Sequence, residues 1–184
     1  QAGETVLAEV MVDPAGNRLL ESVFGNSPFL ARSLLREPEF GRVLLSSDPD
    51  SLFSTLIAEL HPKALTALEE TALMQRLRVA RRRAALLIAL CDIAGLWPLA
   101  QSTHALSRFA DAAVRATVAY LLVNATQRGD LEITDPADPE PASGFFVLAL
   151  GKLGALELNY SSDIDLMLLY DQATVRYTGK RSAQ

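Results

Sequence analysis

Between Leu73 and Ala94 an apolar or small side chain recurs at alternating spacings of four and three: Leu73, Leu77, Ala80, Ala84, Leu87, Cys91 and Ala94. An α-helix turns once in about 3.6 residues, so this series forms one stripe along a long helix, whereas on a strand it would scatter over both faces. Gly95 and the pair Trp97-Pro98 close that helix. Ser102 is placed to cap a second one, in which Leu106, Phe109, Ala110, Ala113, Val114, Thr117 and Leu121 mark the expected buried face, and Gly129 ends it. So short a connection returns the chain antiparallel, and shorter helices are needed to complete the core. Residues 27–36 supply one, with Ser27 as N-cap and Pro28 at the first helical position, and Pro38 ends or resets it. Residues 50–60 supply another, stopped by His61-Pro62. Residues before Ser27 carry only a loose pattern. Residues 1–130 are therefore expected to form a helical region.

Composition narrows the function classes. Hydrophobic residues make up 49% of the 184 and charged residues 21%, a balance that supports a buried core. A net charge of -5 and a pI near 5.1 disfavour a general nucleic-acid binder, which needs a basic face to displace counterions. The single cysteine, Cys91, excludes an internal disulfide and suits a reducing compartment. The apolar run at residues 84–90 is too short to span a bilayer, and the N-terminus lacks a basic-then-apolar signal pattern. A cytoplasmic protein with neither membrane nor nucleic-acid partner is the expectation.

After Gly129 the periodicity changes. Residues 131–143, with Pro136, Pro139 and Pro141 among acidic side chains, read as an exposed connection. The run at 145–150 is continuously apolar and that at 164–170 is apolar but for Asp165, as in fully buried strands. Between them lie the glycine-bearing turn Gly151-Lys152-Leu153-Gly154 and the pair Asp163 and Asp165, spaced so that a strand would point both carboxylates one way and Ile164 and Leu166 the other. Two such carboxylates form half of a site for magnesium, a hard cation that keeps waters and substrate phosphates as its remaining ligands. Gly151 and Gly154 let backbone approach phosphate, Lys152 adds a point charge, and Ser161 and Ser162 either bond phosphate or cap the turn. Two strands and a polar tail from Thr174 make only the start of an α/β unit over residues 144–184.

The run Gly151-Lys152-Leu153-Gly154, Glu157-Leu158-Asn159 and Ser161-Ser162-Asp163-Ile164-Asp165-Leu166 closely resembles the glutamine synthetase adenylyltransferase family, also called glutamate-ammonia-ligase adenylyltransferase. The segments at 27–32, 77–83 and 106–111 look like its N-terminal helical region. The resemblance implies a polymerase-β-like nucleotidyltransferase fold, here an incomplete sheet after a helical domain, so the whole is mainly α with a small α/β part. The wording around Asn159 looks like the deadenylylating copy of the catalytic domain. That copy implies phosphorolysis, in which phosphate attacks the AMP phosphorus on a modified glutamine synthetase tyrosine and releases ADP. Glutamine synthetase, a PII-type signalling protein, ADP or ATP, phosphate and Mg2+ are the implied partners, with Asp163 and Asp165 as catalytic metal ligands. The family's third carboxylate, in an Asp-Leu-Arg-Leu-Arg-Pro-like stretch, does not occur here, so the chain resembles an N-terminal fragment expected to have little activity alone.

Other residues read more plainly. Arg78 and Arg82 lie opposite the apolar stripe and are expected in solvent, while Arg76 and Arg83 flank it, where Asp92, Asp111 or an acid of another helix would pair with them. A docking surface for a protein partner is the alternative use of these arginines. His61 and His104 lack metal-ligand partners at useful spacing and are expected to be structural, as are Cys91 and Trp97. Glu157 is either a third acidic site residue or a capping group, and Asn159 either meets nucleotide or holds the turn. Two different functions stay open beside the adenylyl-removing one: a non-catalytic binding module, and a polymerase-β-like enzyme with another acceptor.

Overall fold

The computed structural model describes residues 12–135, 138–141 and 143–179. Pro136 of the expected connection and residues 180–184 of the tail lie outside the described residues. Five helices in succession begin at a proline: α1 (Pro14–Asn26), α2 (Pro28–Arg36), α3 (Pro38–Ser46), α4 (Pro49–Ala58) and α5 (Pro62–Leu65). Proline at the first helical position forfeits no hydrogen bond, because that N–H has no partner within the helix. In four cases the preceding residue accepts from the first turn: Asp13 Oδ2 from Gly16 N (2.7 Å), Ser27 Oγ from Leu30 N (3.3 Å), Asp48 Oδ2 from Ser51 N (2.9 Å) and His61 Nδ1 from Lys63 N (3.4 Å). Two elements differ from expectation. Helix α1 occupies the loosely patterned start, and α4 starts and ends earlier than 50–60, because Asp48 supplies the cap and Leu60 turns into the core, where it is 1% exposed.

Helix α6 (Glu70–Ile93) carries the expected stripe, with Leu73, Ala80, Ala84, Leu87 and Cys91 buried. Ala94 is the exception, exposed as the C-cap before Gly95, whose φ of +69° lets Leu96 N reach Cys91 O at 2.9 Å. Every residue from Leu86 to Cys91 is buried, so this half of α6 is enclosed on all sides and forms the centre of the main core with Leu20, Val23, Leu30, Leu34 and Leu56. Trp97 closes the end of that core edge-to-face on Phe53, ring centroids 5.9 Å apart.

Helix α7 (Leu99–Gln127) corrects two expectations. It begins before Ser102, because Ser102 N already bonds Pro98 O at 3.1 Å, which places the serine inside the ladder and leaves its buried Oγ without a partner among the described residues. Its buried residues are Ser102, Ala105, Ser107, Ala116, Ala119, Tyr120, Leu122 and Val123, centred to one side of the face predicted. Of the predicted positions, Leu106, Phe109 and Ala113 are partly buried against the core clusters as expected, whereas Ala110, Val114, Thr117 and Leu121 line an open groove, and Leu121 is 58% exposed. Small side chains explain the choice: Ala116 packs in one cluster with Ala80 and Leu73 of α6, where two helices approach closely enough that larger residues would hold them apart.

Strand β1 (Phe145–Ala149) pairs antiparallel with β2 (Leu166–Tyr170) in a register running from Phe145↔Tyr170 to Ala149↔Leu166. The expectation of fully buried strands fails. Phe146, Leu148 and Met167 are each more than two-fifths exposed, because a two-stranded sheet has a helical layer on one face only, and Leu168, opposite Val147 on the groove side, is 61% exposed. Phe145, Val147 and Leu166 share the face that meets the groove beside α7. The connection is less exposed than expected: Ile133, Pro139 and Ser143 are buried, Glu132 N donates to Arg176 O and Thr178 N to Asp130 O, both at 3.0 Å. The tail thus pairs back across Leu131↔Tyr177. The fold is mostly helical with a small antiparallel sheet, and among the described residues no helix is long and apolar enough to cross a membrane.

Candidate functional site

The turn after β1 is a single helical turn, α8 (Gly151–Gly154). Gly151 enters it at φ +55°, a backbone state that favours glycine, and Leu153 anchors it in the interior at 2% exposed. Gly154 is required by packing, since a Cβ there would run into the Ala149 carbonyl. Its N–H donates to Leu150 O at 3.1 Å and so is not free for a phosphate. The turn ends as α6 and α7 do, with Leu156 N on Leu153 O (2.9 Å) and Glu157 N on Lys152 O (2.8 Å). Where those helices use Gly95 and Gly129, this one holds Leu156 at φ +59°, which costs roughly 1–2 kcal/mol for an L-residue with a side chain.

From Glu157 the chain runs against both long helices. Leu158 is buried and its N–H donates to Ser107 Oγ at 3.0 Å; that hydroxyl, wholly buried, donates to Thr103 O at 2.9 Å. Tyr160, 44% exposed, donates its OH to Asp92 Oδ2 at 3.3 Å, and partial loss of water around the phenol, with the Asp92 charge, raises it above its ordinary value, so it stays protonated. Ser162 Oγ donates to Asn159 Oδ1 at 2.5 Å, which gives both residues a turn-holding role. Leu150 N donates to Asp165 O at 2.9 Å, drawing the end of the loop to α8.

Asp163 and Asp165 are exposed, and neither carboxylate has a hydrogen bond or ion pair among the described residues. They do not alternate as strand residues, because the regular strand starts only at Leu166. Asp163, Ile164 and Leu166 all line the groove, while Asp165 Oδ2 stands 3.5 Å from where a Cβ of Gly151 would lie. Lys152, Ser161 and Glu157 are exposed around them. Two uncommitted oxygen donors fit a magnesium ion that keeps water and phosphate ligands, although the described residues contain no group of three or more His, Cys, Asp or Glu able to hold a metal. The groove, about 1630 Å³, runs from this loop along α6 and α7 to α2, with Arg36, Arg78 and Arg81 on its far wall.

Arg82 is not solvated as expected. Glu37, at the α2–α3 junction, binds Arg82 and Arg83 through its two carboxylate oxygens, with Arg82 Nε at 2.7 Å from Oε1. Arg83 also lies over Phe40, 5.2 Å from the ring centroid. His61 serves as a helix cap and Cys91 as a core residue, as expected. Sequence reasoning missed Ser107 and named Asp92 only as a partner for arginine. No local signal joins either to a loop residue 51 or 68 positions away.

No solved structure matches the chain. Among curated relatives, the bifunctional glutamine synthetase adenylyltransferase/adenylyl-removing enzyme of Bradyrhizobium diazoefficiens is 42% identical over 165 residues, 90% of this chain and 17% of the relative. The protein of the same description from Xanthobacter autotrophicus is 44% identical over 146 residues, 79% of this chain and 15% of the relative, and that from Brucella suis 37% over 154 residues. The chain thus spans less than a fifth of the length of the curated relatives it matches. The profile of glutamate-ammonia ligase adenylyltransferases matches residues 17–184, and the chain belongs to that family.

Proposed function

We propose that this chain contributes to the adenylyl-removing half of a bifunctional enzyme acting on glutamine synthetase, with a polymerase-β-like site begun by β1, α8 and β2. The observation that carries the reading is the meeting of Asp165 and Gly151: one carboxylate of the pair stands at the entry of the glycine-bounded turn, tied there by the Leu150 N to Asp165 O bond. Asp163 and Asp165 would hold Mg2+, which when bound supplies charge neutralisation and orientation for phosphoryl oxygens. Lys152 and Ser161, exposed and without a side-chain partner among the described residues, offer a cation and a hydroxyl to phosphate or to ADP. Gly151 gives the turn its entry, Gly154 its close packing, and Ser162 with Asn159 its shape. The reaction proposed is phosphorolysis: a phosphate oxygen bonds to the AMP phosphorus, the tyrosyl oxygen–phosphorus bond breaks, and ADP leaves. A cytoplasmic location and control by a PII-type protein belong to the same reading.

Titrating Mg2+ with ADP into the chain tests it. Binding is expected to be weak, because two carboxylates are an incomplete ligand set, and to vanish when Asp163→Asn and Asp165→Asn are combined; binding indifferent to both changes sinks the reading. Phosphorolysis of adenylylated glutamine synthetase by this chain alone is expected to be slight. A second reading, a binding module for glutamine synthetase or a PII-type protein, is favoured by the large groove with its arginine wall. Partner binding without nucleotide and unchanged by the double asparagine substitution would support that reading.

A further inference from the structure

Ser107 has no exposed surface, yet its hydroxyl makes two hydrogen bonds, donating to Thr103 O within α7 and accepting the Leu158 N–H from the site loop. A serine in mid-helix ordinarily turns its hydroxyl back on its own helix and stops there. Two residues beyond Leu158, the Tyr160 phenol reaches Asp92 on α6. Each long helix therefore makes one hydrogen bond to the loop, and Ser161, Ser162 and Asp163 follow at once. Among the described residues these are the only hydrogen bonds from residues 158–165 to the helices; the others lie within the loop or join it to Leu150.

We infer that Ser107 and Asp92 are positioning residues which, with Tyr160, clamp the loop to the two long helices and set where Asp163 stands. The inference rests on reading Asp163 and Asp165 as the metal-holding pair, and it goes beyond that reading by assigning the helical region a direct part in the site's geometry. Helices α6 and α7 suit this role because both hold residues of the main core, so the points to which the loop is tied do not shift with it. Neither Ser107 nor Asp92 needs to touch substrate. The buried Leu158 side chain sets the depth of the loop, and the two bonds set its lateral position.

The experiment uses the isotope-labelled 184-residue chain, with amide hydrogen exchange at residues 161–165 and line broadening by Mn2+ alone as readouts, and melting temperature as a check on folding. Tyr160→Phe and Asp92→Ala are expected to speed exchange in the loop and weaken Mn2+ binding roughly tenfold, the scale of an outer-shell loss. Asp92→Asn keeps an acceptor oxygen and is expected to restore both. Ser107→Ala should act like Tyr160→Phe; if it does not fold, the Tyr160 and Asp92 variants decide. Unchanged exchange and Mn2+ affinity in Tyr160→Phe, or Asp92→Asn no better than Asp92→Ala, overturns the clamp. If wild-type Mn2+ binding is insensitive to Asp163→Asn with Asp165→Asn, the metal reading falls separately, and loop exchange still supports or overturns the clamp.

Discussion

Replacing Glu37 by glutamine tests how the α2–α3 junction is held on α6. The Glu37 side chain is only 11% exposed, while Arg82 and Arg83, which it binds, are 26% and 33% exposed. Burial by itself would raise the Glu37 pKa, but hydrogen bonds and charge from Arg83 and Arg82 outweigh it and hold the carboxyl below its ordinary value. A carboxylate whose folded pKa is depressed contributes stability that is fully present above its unfolded value and is lost as pH falls through the folded one. The Glu37 contribution is therefore complete above about pH 4.5 and fades below it. Glutamine keeps the shape and one acceptor but removes the charge, leaving two partly buried guanidinium groups without a counter-ion. Charge-assisted hydrogen bonds are worth about 1.5–3 kcal/mol, and the arginines' remaining access to water places the expected loss at about 2 kcal/mol. With a urea dependence near 2 kcal/mol per molar, the midpoint should fall by about 1 M. Urea unfolding at pH 7 and at stepped acid pH measures both quantities, and the variant should lose less stability on acidification than the wild type. A midpoint within about 0.2 M of wild type, with the same acid slope, would refute the reasoning.

Three further outcomes follow from single side chains. Ser102 Oγ is buried without a partner, so Ser102→Ala should raise stability by about 1 kcal/mol in urea unfolding; a loss of that size would mean the hydroxyl is satisfied. Leu156→Gly should relieve the left-handed strain and stabilise by up to about 1 kcal/mol, read as a higher melting temperature; a lower one would show that the contacts of the leucine outweigh the strain. The Cys91 thiol is pushed up to about 11 by burial and by Asp50, so thiol reagents at pH 8 should modify the native chain far more slowly than the urea-unfolded one; equal rates would show that Cys91 is reachable.

The parts of the fold legible in the sequence are those fixed by neighbours along the chain. Ser27-Pro28 announced α2, and the same device at Asp13-Pro14 would have announced α1, which apolar periodicity alone did not reveal. The stripe on α6 was legible because Leu73, Ala80, Leu87 and Cys91 face partners from several sides, so apolar character and burial coincide. On α7 they part. Val114, Val118 and Leu121 line the groove while Ala116 and Ala119 are wholly buried, so a reading that ranks faces by hydrophobicity sets the stripe partly on the groove side. The candidate site divides in the same way. Its candidate chemistry lies in one contiguous stretch from Gly151 to Asp165 and is visible residue by residue, but strand alternation misplaced Asp163, which lines the groove with Ile164 and Leu166, because the ladder begins only at Leu166. Its support comes from Ser107 and Asp92, whose types are ordinary and whose partners are fixed only when α6 and α7 pack. A site motif read from sequence therefore names which groups can act, whereas the helices that hold it still become visible only from the packed fold.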